Sequence, residues 1–252
     1  MTSTLNISAY RFVDIDDPPA LRERLLASAG AAGLKGTVLI AGEGINLFLA
    51  GPPGEVRGWV AALRADPRFA PMEPKESWSD QVPFRRLLVK CKREIIRMNH
   101  PAVQPQHGRA PSVDAPTLAR WLDAGRDDDG RPLVLLDTRN AFEVDEGRFR
   151  GAVDLGLGRF SDFPAAAAER RSEWSGHTVV SYCTGGIRCE KAALHLADAG
   201  VERVLQLDGG ILKYFELVGG RHFDGRCVVF DERVVLDAAL RPAPPAHALP
   251  RG

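Results

Sequence analysis

A proline-rich stretch divides the sequence into two parts with different patterns. The segment NHPAVQPQHGRAPSVDAP, residues 99–116, carries four prolines, which interrupt helices and sheets. Before it lie an apolar hairpin and two helical patterns, whereas short apolar strands alternate with helices after it. With 252 residues, 44% of them hydrophobic, the chain can bury either one large core or two small ones. We therefore expect two domains joined by a linker at residues 99–112.

The first part follows the order β-α-β-β-α-β. The strands are indicated by LNISAYRF and by the two apolar runs of GTVLIAGEGINLFLAG, and the segments that begin at Pro18 and Pro52 have apolar residues at helical spacing. The order ends with an extended run, RRLLVKCKREIIRM, residues 85–98. This order predicts an α+β, ferredoxin-like (split βαβ) domain over residues 1–98.

The second part has the pattern of an α/β domain with a parallel sheet. Its strand-like runs are short and unbroken, PLVLLDT, HTVVSYC and RVLQLDGG, and helical patterns separate them. Such alternation is typical of a parallel sheet with helices on both faces. We expect this domain over residues 113–220, followed by an extension over 221–240 and a disordered, alanine- and proline-rich tail over 241–252.

Composition gives few functional signals. The formal net charge is zero, so the molecule as a whole has no charge signature. We expect no membrane span, because no long apolar run is present, and we expect a cytoplasmic protein with reduced cysteines, because the first residues do not resemble a signal peptide. Scattered histidines and the lack of a Cys-x2-Cys pair predict no metal site.

The clearest chemical feature is a cysteine, Cys183, at the end of a predicted strand. A short, glycine-rich loop follows it: Thr184, Gly185, Gly186, Ile187 and Arg188. Ligands of open parallel sheets bind where the strands end. Glycine lets backbone amides turn inward, and Arg188 and a helix predicted from residue 189 add positive charge; all of these lower the pKa of a thiol. We therefore expect Cys183 to be a reactive thiolate; the alternative is a buried cysteine that packs in a tight turn.

The length of this loop limits what it can bind. Its Cys-x4-Arg spacing is one residue shorter than the Cys-x5-Arg spacing of cysteine phosphatases, which surrounds a tetrahedral phosphate. The shorter loop suits a persulfide sulfur, an oxidised sulfur or the thiolate alone. A phosphatase is therefore a minor alternative.

Three residues near Cys183 each have two interpretations. Asp137 and Arg139 end the preceding strand at the same sheet edge, and they either orient the loop or form a buried ion pair. Cys189 either resolves an oxidised or persulfidated Cys183 as a disulfide or packs as a small apolar residue.

The first part contributes two candidate contact regions. Glu43 and Asn46, in the GEGIN turn, are possible substrate contacts. Residues 75–98 hold seven basic and three acidic side chains, which makes five residues candidates for a charged contact surface: Arg85, Arg86, Lys90, Lys92 and Arg93. Strand alternation would put Arg86, Lys90 and Lys92 on one face. A solvated edge strand explains the same charges equally well.

Several motifs together resemble one family. The loop CTGGIRCEKA is similar to the active-site loop of rhodanese-like domains, and LLDTRNAFEV and LDGGILKYF resemble their opening strand and closing turn. With GEGIN, KESWSDQVPF, KCKREII and FDERV added, the chain resembles the oxygen-dependent tRNA uridine-34 hydroxylases over residues 5–237. The resemblance implies a ferredoxin-like domain, a rhodanese domain and a catalytic cysteine that matches Cys183.

The resemblance also implies an activity. It indicates hydroxylation of the wobble uridine in the tRNA anticodon loop to 5-hydroxyuridine, with molecular oxygen as co-substrate and an unidentified reductant. With tRNA as the implied substrate, the five basic residues become candidates for contacts with its phosphates: Arg85, Arg86, Lys90, Lys92 and Arg93. The sequence shows no metal or flavin signature and does not indicate protein partners. A rhodanese-type sulfurtransferase carrying a persulfide on Cys183 remains an alternative, because the loop alone supports it equally well. A non-catalytic binding module is a second alternative, but it does not explain why the cysteine loop is intact.

Overall fold

The computed structural model describes residues 3–248, which form two compact units. The first unit comprises residues 3–97 together with Phe230–Arg233, and the second comprises residues 98–229 and 234–248. Within the described residues, no helix combines the length and apolar character that crossing a lipid bilayer requires.

The first unit is a five-stranded sheet with two helices. Its elements are β1 (Thr4–Phe12), α1 (Pro18–Ala31), β2 (Lys35–Ala41), β3 (Gly44–Gly51), α2 (Pro53–Arg64), β4 (Lys75–Ser79) and β5 (Leu87–Cys91). The strand order is β4-β1-β3-β2-β5; β5 is parallel to β2, and the other neighbours are antiparallel. The first four strands and two helices form the split βαβ arrangement, which confirms the predicted ferredoxin-like fold.

The core of this unit lies between the sheet and the two helices. Helix α1 begins after Asp17, whose carboxylate accepts the Ala20 amide at 3.0 Å, and a proline follows at its first position. Five buried side chains of the helices pack against the apolar strand residues: Leu21, Leu25, Val56, Trp59 and Leu63. The predicted helical spacing therefore gives each helix one apolar face.

The fourth strand of the fold is not the predicted one. Lys75–Ser79 pairs with β1, whereas the run 85–98 contributes only β5, a fifth strand at the opposite edge. Backbone hydrogen bonds of Arg86 and Lys92 extend the pairing with β2 by one residue at each end. The predicted extended run is wrong beyond this point, because the amide of Ile95 bonds to the Glu43 carboxylate at 2.7 Å instead of to a strand.

The second unit is built on a five-stranded sheet in which all neighbouring strands are parallel, as predicted. Its order is β6 (Ser112–Val113), β11 (Val204–Leu207), β10 (Thr178–Tyr182), β7 (Leu133–Asp137) and β9 (Val153–Asp154). The helices are α3 (Ala115–Ala124), α4 (Ala141–Glu146), α5 (Phe163–Arg170), α6 (Ile187–Asp198) and α7 (Gly210–Val218).

Helices cover both faces of this sheet. Tyr182 of β10 packs in one apolar cluster with Leu118 of α3 and Tyr214 of α7. The preceding residue, Ser181, points to the other face, where its hydroxyl donates to the Cys189 carbonyl of α6 at 3.4 Å. The first turn of α6 therefore packs on this face, beside the end of β10.

Short strands complete the second unit. The pairs are β8 (Gly147–Phe149) with β12 (Phe223–Gly225), and β13 (Cys227–Val228) with β14 (Val235–Leu236), which also pairs with β15 (Pro242–Ala243).

The expected linker and tail are more ordered than their composition suggests. The Gln206 amide donates to the Ala110 carbonyl at 3.2 Å, so the end of the segment 99–112 belongs to the second unit. Composition predicts a disordered tail, but the buried Glu146 carboxylate accepts the amides of Ala246 and His247 at 2.8 and 2.7 Å. Composition does not reveal such an acceptor. Residues 249–252 lie outside the described residues.

Candidate active site

The connection between β10 and α6 is four residues long, 183–186. Helix α6 begins at Ile187, two residues before the predicted start, so Arg188 and Cys189 belong to its first turn. Gly186 precedes the helix with a φ of 99°, a conformation that favours glycine. The loop is therefore tight and leads directly into the positive end of the helix dipole.

Backbone amides surround the sulfur of Cys183. The Gly186 amide donates to the sulfur at 3.1 Å, and the amides of Arg188 and Cys189 also donate to it. Successive inward-pointing amides form a nest for a negatively charged atom. The nest predicted from the glycines is thus centred on the thiol itself.

Helix α7 holds the other side of the loop. The Ile211 amide donates to the Cys183 carbonyl at 2.9 Å. Gly210 has a φ of 66°, and a Cβ at this position would lie 2.5 Å from the Cys183 carbonyl oxygen and 2.8 Å from the Gly186 nitrogen. Only glycine fits this contact, which gives the second glycine of LDGG a defined role beside the thiol loop.

A buried ion pair fixes Arg188. Its Nη1 and Nη2 lie 2.6 and 2.8 Å from the carboxylate oxygens of Glu143, and both residues are buried. The same carboxylate accepts the Asn140 amide at the start of α4 and the Thr184 hydroxyl. Burial would raise the pKa of Glu143, but the charge of Arg188 holds it below its usual value. Arg188 therefore stays charged in a fixed position.

The environment favours the thiolate form of Cys183. The residue is fully buried, which alone would raise its pKa, but this effect is outweighed by a hydrogen bond from the Cys189 thiol, the charge of Arg188 and the backbone amides. The pKa of Cys183 is lowered to about 5. Burial and the neighbouring Cys183 raise the pKa of Cys189 well above its usual value. Near neutral pH the pair is one thiolate and one thiol.

Asp137 and Arg139 form a second ion pair in which both side chains are fully buried. Arg139 Nε and Nη2 lie 2.9 and 2.6 Å from the two carboxylate oxygens. The guanidinium also donates to the carbonyls of Glu143 and Gly147 at 3.2 and 2.6 Å. Arg139 thus binds the backbone of α4, the helix that carries Glu143.

Both units match known domains, and the chain as a whole matches named proteins. Residues 4–95 match the UPF0176 acylphosphatase like domain, and residues 118–217 match the rhodanese-like domain. A Bordetella petrii protein named tRNA uridine(34) hydroxylase is 63% identical over 243 residues, with 96% of each chain covered. The chain belongs to the tRNA uridine(34) hydroxylase family.

Further members of the hydroxylase family show the same relation. The protein of that name from Variovorax paradoxus is 64% identical over 236 residues, covering 94% of this chain and 90% of its own. The one from Ralstonia nicotianae is 58% identical over 241 residues, covering 96% of this chain and 86% of its own. The resemblance inferred from the motifs is confirmed.

In this member of the hydroxylase family, Glu43 and Asn46 have partners within the first unit. The Glu43 carboxylate accepts the Ile95 amide at 2.7 Å, and the buried Asn46 amide donates to the Ile95 carbonyl at 3.3 Å. The two side chains therefore hold the backbone after β5, and contact with substrate stays a prediction.

The five basic candidates in this hydroxylase-family chain are all exposed: Arg85, Arg86, Lys90, Lys92 and Arg93. They lie in or beside β5, an edge strand. Arg85 pairs with Glu232 at 3.0 Å. Because the pairing of β5 extends over residues 86–92, the predicted alternation applies to Arg86, Lys90 and Lys92. Among residues 3–248, no group of three or more His, Cys, Asp or Glu side chains is placed to hold a metal ion.

Proposed function

We propose that this protein hydroxylates uridine 34 of tRNA to 5-hydroxyuridine, with molecular oxygen as co-substrate and Cys183 as nucleophile. Relatives named tRNA uridine(34) hydroxylase, at 58–64% identity over nearly the whole chain, support the reaction. The observation that carries the role of Cys183 is its surroundings: the Cys189 thiol, the charge of Arg188 and the backbone amides together lower its pKa to about 5. Such a thiol is ionised near neutral pH and nucleophilic.

A thiolate suits the electronic structure of uracil. The C5=C6 bond is conjugated to the C4 carbonyl, which makes C6 electrophilic. Addition of the Cys183 thiolate to C6 leaves an enolate that is nucleophilic at C5, where oxygen is introduced. Loss of the C5 proton then restores the double bond and releases the thiolate. The loop amides and Arg188 stabilise the leaving thiolate as they stabilise the resting one.

Binding of tRNA must bring a base to a buried sulfur. Cys183 has no exposed surface, so neighbouring groups move when the base enters. The wobble nucleotide lies in a single-stranded loop, and its base can be turned out at modest cost. The exposed basic residues along β5 are the proposed contacts for the tRNA phosphates, because such contacts supply most of the affinity for nucleic acid.

The test is the variant Cys183→Ser, compared with Cys91→Ser, which alters an exposed cysteine. Serine stays protonated near neutral pH, so we expect the first variant to lose hydroxylation by at least about a thousandfold and the second to keep it. The readout is mass spectrometry of the position-34 nucleoside, with thermal unfolding as a check of the fold. Hydroxylation retained by a folded Cys183→Ser protein would reject the covalent mechanism.

A second candidate activity is sulfur transfer. The inward amides around Cys183 would also stabilise the terminal sulfur of a persulfide, and this chemistry needs no basic strand. Incubation with thiosulfate followed by intact-protein mass spectrometry distinguishes the two activities. One added sulfur atom on Cys183, passed on to an acceptor thiol, would support the transferase; an unchanged mass would reject it.

A further inference from the structure

A second sulfur lies beside the nucleophile. Cys189 is fully buried in the first turn of α6; its thiol donates a hydrogen bond to the Cys183 sulfur, and its own sulfur lies 3.8 Å from the Thr138 hydroxyl. The Cys189 carbonyl accepts the Ser181 hydroxyl at 3.4 Å, which anchors this turn to β10. Both cysteines are free thiols, and helix and strand keep them adjacent.

The proposed reaction has an electron requirement that such a pair can meet. Of the two atoms of molecular oxygen, one enters C5 and the other becomes water. Besides the electrons of the C5–H bond, this requires two more electrons and two protons. Two thiols supply both when they become a disulfide.

We propose that Cys183 and Cys189 together are the two-electron donor of the hydroxylation and that each turnover leaves them as an intramolecular disulfide. This inference rests on the function proposed above. It makes Cys189 a catalytic residue and identifies the class of the external reductant as a dithiol, which regenerates the pair by thiol–disulfide exchange.

The steps balance. After the Cys183 thiolate adds to C6, the C5 enolate binds oxygen, and the resulting peroxide anion takes the Cys189 proton. The Cys189 sulfur attacks the distal oxygen, so that the S–O bond forms and the O–O bond breaks. This leaves an alkoxide at C5 and a sulfenic acid at Cys189.

Release of product then closes the cycle. The C5 proton moves to the C5 oxygen, the double bond reforms and the Cys183 thiolate leaves C6. This thiolate attacks the sulfenic sulfur, the S–S bond forms and hydroxide departs, which takes a proton from solvent to become water. In total, uridine, oxygen and two thiols give 5-hydroxyuridine, water and one disulfide.

Burial fits this sequence of steps. Sulfenic acids are further oxidised or captured by other thiols when they are exposed. Cys189 has no exposed surface, and Cys183, its immediate neighbour, is the thiol placed to react with it.

The test is a single-turnover reaction without added reductant. Reduced protein is freed of dithiothreitol and mixed in air with excess unmodified tRNA that carries uridine 34; product and disulfide are then quantified by mass spectrometry. We expect about one 5-hydroxyuridine and one Cys183–Cys189 disulfide per protein, after which product stops until dithiothreitol is added. Several products per protein without loss of thiols would overturn this proposal and leave the hydroxylase function intact.

The variant Cys189→Ser separates electron donation from support of the thiolate. Serine can still donate a hydrogen bond to Cys183, so we expect Cys183 to react with iodoacetamide within about threefold of the wild-type rate. Single-turnover product should nevertheless fall by at least about tenfold, because no disulfide can form. Cys91→Ser, at an exposed position of β5 whose side chain alternates to the face opposite Lys90 and Lys92, should give the full yield.

Two results would contradict the proposal in different ways. A full single-turnover yield from Cys189→Ser would overturn the role of the thiol pair alone. Absence of 5-hydroxyuridine from the wild-type protein, with and without dithiothreitol, would overturn the proposed function and this inference with it.

Discussion

The second unit contains two buried arginine–carboxylate pairs that differ in their third partner. Arg139–Asp137 and Arg188–Glu143 each have a closest contact of 2.6 Å, and no side chain among the four is more than 6% exposed. The remaining donors of Arg139 bind two backbone carbonyls at and after α4, whereas the charge of Arg188 acts on the Cys183 sulfur.

The difference shows that the surroundings of an ion pair, and not the pair itself, determine its role. The Arg139–Asp137 pair, whose guanidinium also donates to two backbone carbonyls, fixes the position of α4. The Arg188–Glu143 pair, whose positive charge acts on a thiol, helps to lower the pKa of a nucleophile. We therefore expect loss of the first pair to appear mainly in stability and loss of the second mainly in reactivity.

The largest effect is expected from Arg139→Met. The Asp137 carboxylate would remain fully buried without a charged partner, with only the backbone amide of residue 139 still donating to it, which costs about 3–5 kcal/mol out of a total stability of about 5–15 kcal/mol. Thermal unfolding followed by circular dichroism should show a strongly lowered midpoint or no folded protein. The double variant Asp137→Leu/Arg139→Met, which leaves no buried charge at this site, should recover part of the loss. A single variant as stable as wild type would mean that this pair does not support the fold.

Removal of the second pair should change reactivity instead. The double variant Glu143→Gln/Arg188→Met leaves no unpaired charge, and glutamine can still accept the Asn140 amide. Without Arg188, the pKa of Cys183 rises from about 5 towards its usual value. At a pH below the pKa, each rise of the pKa by one lowers the thiolate fraction, and with it the alkylation rate, about tenfold.

The measurement is the rate of Cys183 alkylation as a function of pH. The thiolate forms as pH rises through the pKa, so a raised pKa moves the midpoint of the profile to higher pH, here by at least about one. An unchanged midpoint would assign the thiolate to the Cys189 thiol and the backbone amides, without Arg188, and remove the distinction between the two ion pairs.

Sequence patterns locate the nucleophile but not the partner of Arg188. Cys183 and Asp137 can be assigned to one sheet edge because parallel strands end together. The Arg188–Glu143 pair joins residues 45 positions apart, and it depends on the direction in which α4 leaves the sheet. Two local signals exist: Glu143 follows the strand that ends at Asp137, which assigns it to the same polar cluster as Asp137, and Asn140-x-x-Glu143 is typical of a helix start. Neither identifies Arg188 as the partner of Glu143.

In the first unit, sequence patterns identify the fold but not each strand. The paired strands β2 and β3 are apolar and can be recognised. The five residues of β4 are only partly buried or exposed, because the strand lies at an edge, so they show no apolar alternation. Edge strands are therefore the elements most easily missed in such a chain.

A smaller effect is expected from Gly210→Ala, which tests the backbone around the thiol. The added Cβ would meet the Cys183 carbonyl oxygen at 2.5 Å, so the loop must shift and the amides move away from the sulfur. We expect a stability loss of about 1–3 kcal/mol and an alkylation midpoint at higher pH.

Gly200→Ala is the matched control. Gly200 also has a positive φ, of 86°, but a Cβ there would meet nothing within 4 Å. The Gly200→Ala variant should lose about 1–2 kcal/mol of stability from backbone strain, and its alkylation midpoint should be unchanged. Equal midpoints in the two variants would show that the contact with Gly210 does not shape the loop.

The smallest effect on the thiol is expected from exposed cations, which contrast with both buried arginines. Changing Arg86, Lys90 and Lys92 to glutamine removes charges in or beside β5 that are exposed to solvent. Such charges contribute little to stability, but each phosphate contact adds about one to the slope of the salt dependence of tRNA binding. We expect weaker binding, a salt slope lower by about two to three and unchanged Cys183 alkylation.

A control triple variant keeps the loss of net charge equal. Arg24, Arg57 and Arg64 are exposed on α1 and α2 and not on β5, and their change to glutamine removes the same charge. If tRNA binds along β5, only the first variant loses affinity and slope, measured as binding at several salt concentrations. Equal losses of affinity and slope in the two triple variants would show that the first unit attracts tRNA through its overall charge. Unchanged tRNA binding in both variants would leave β5 a solvated edge strand.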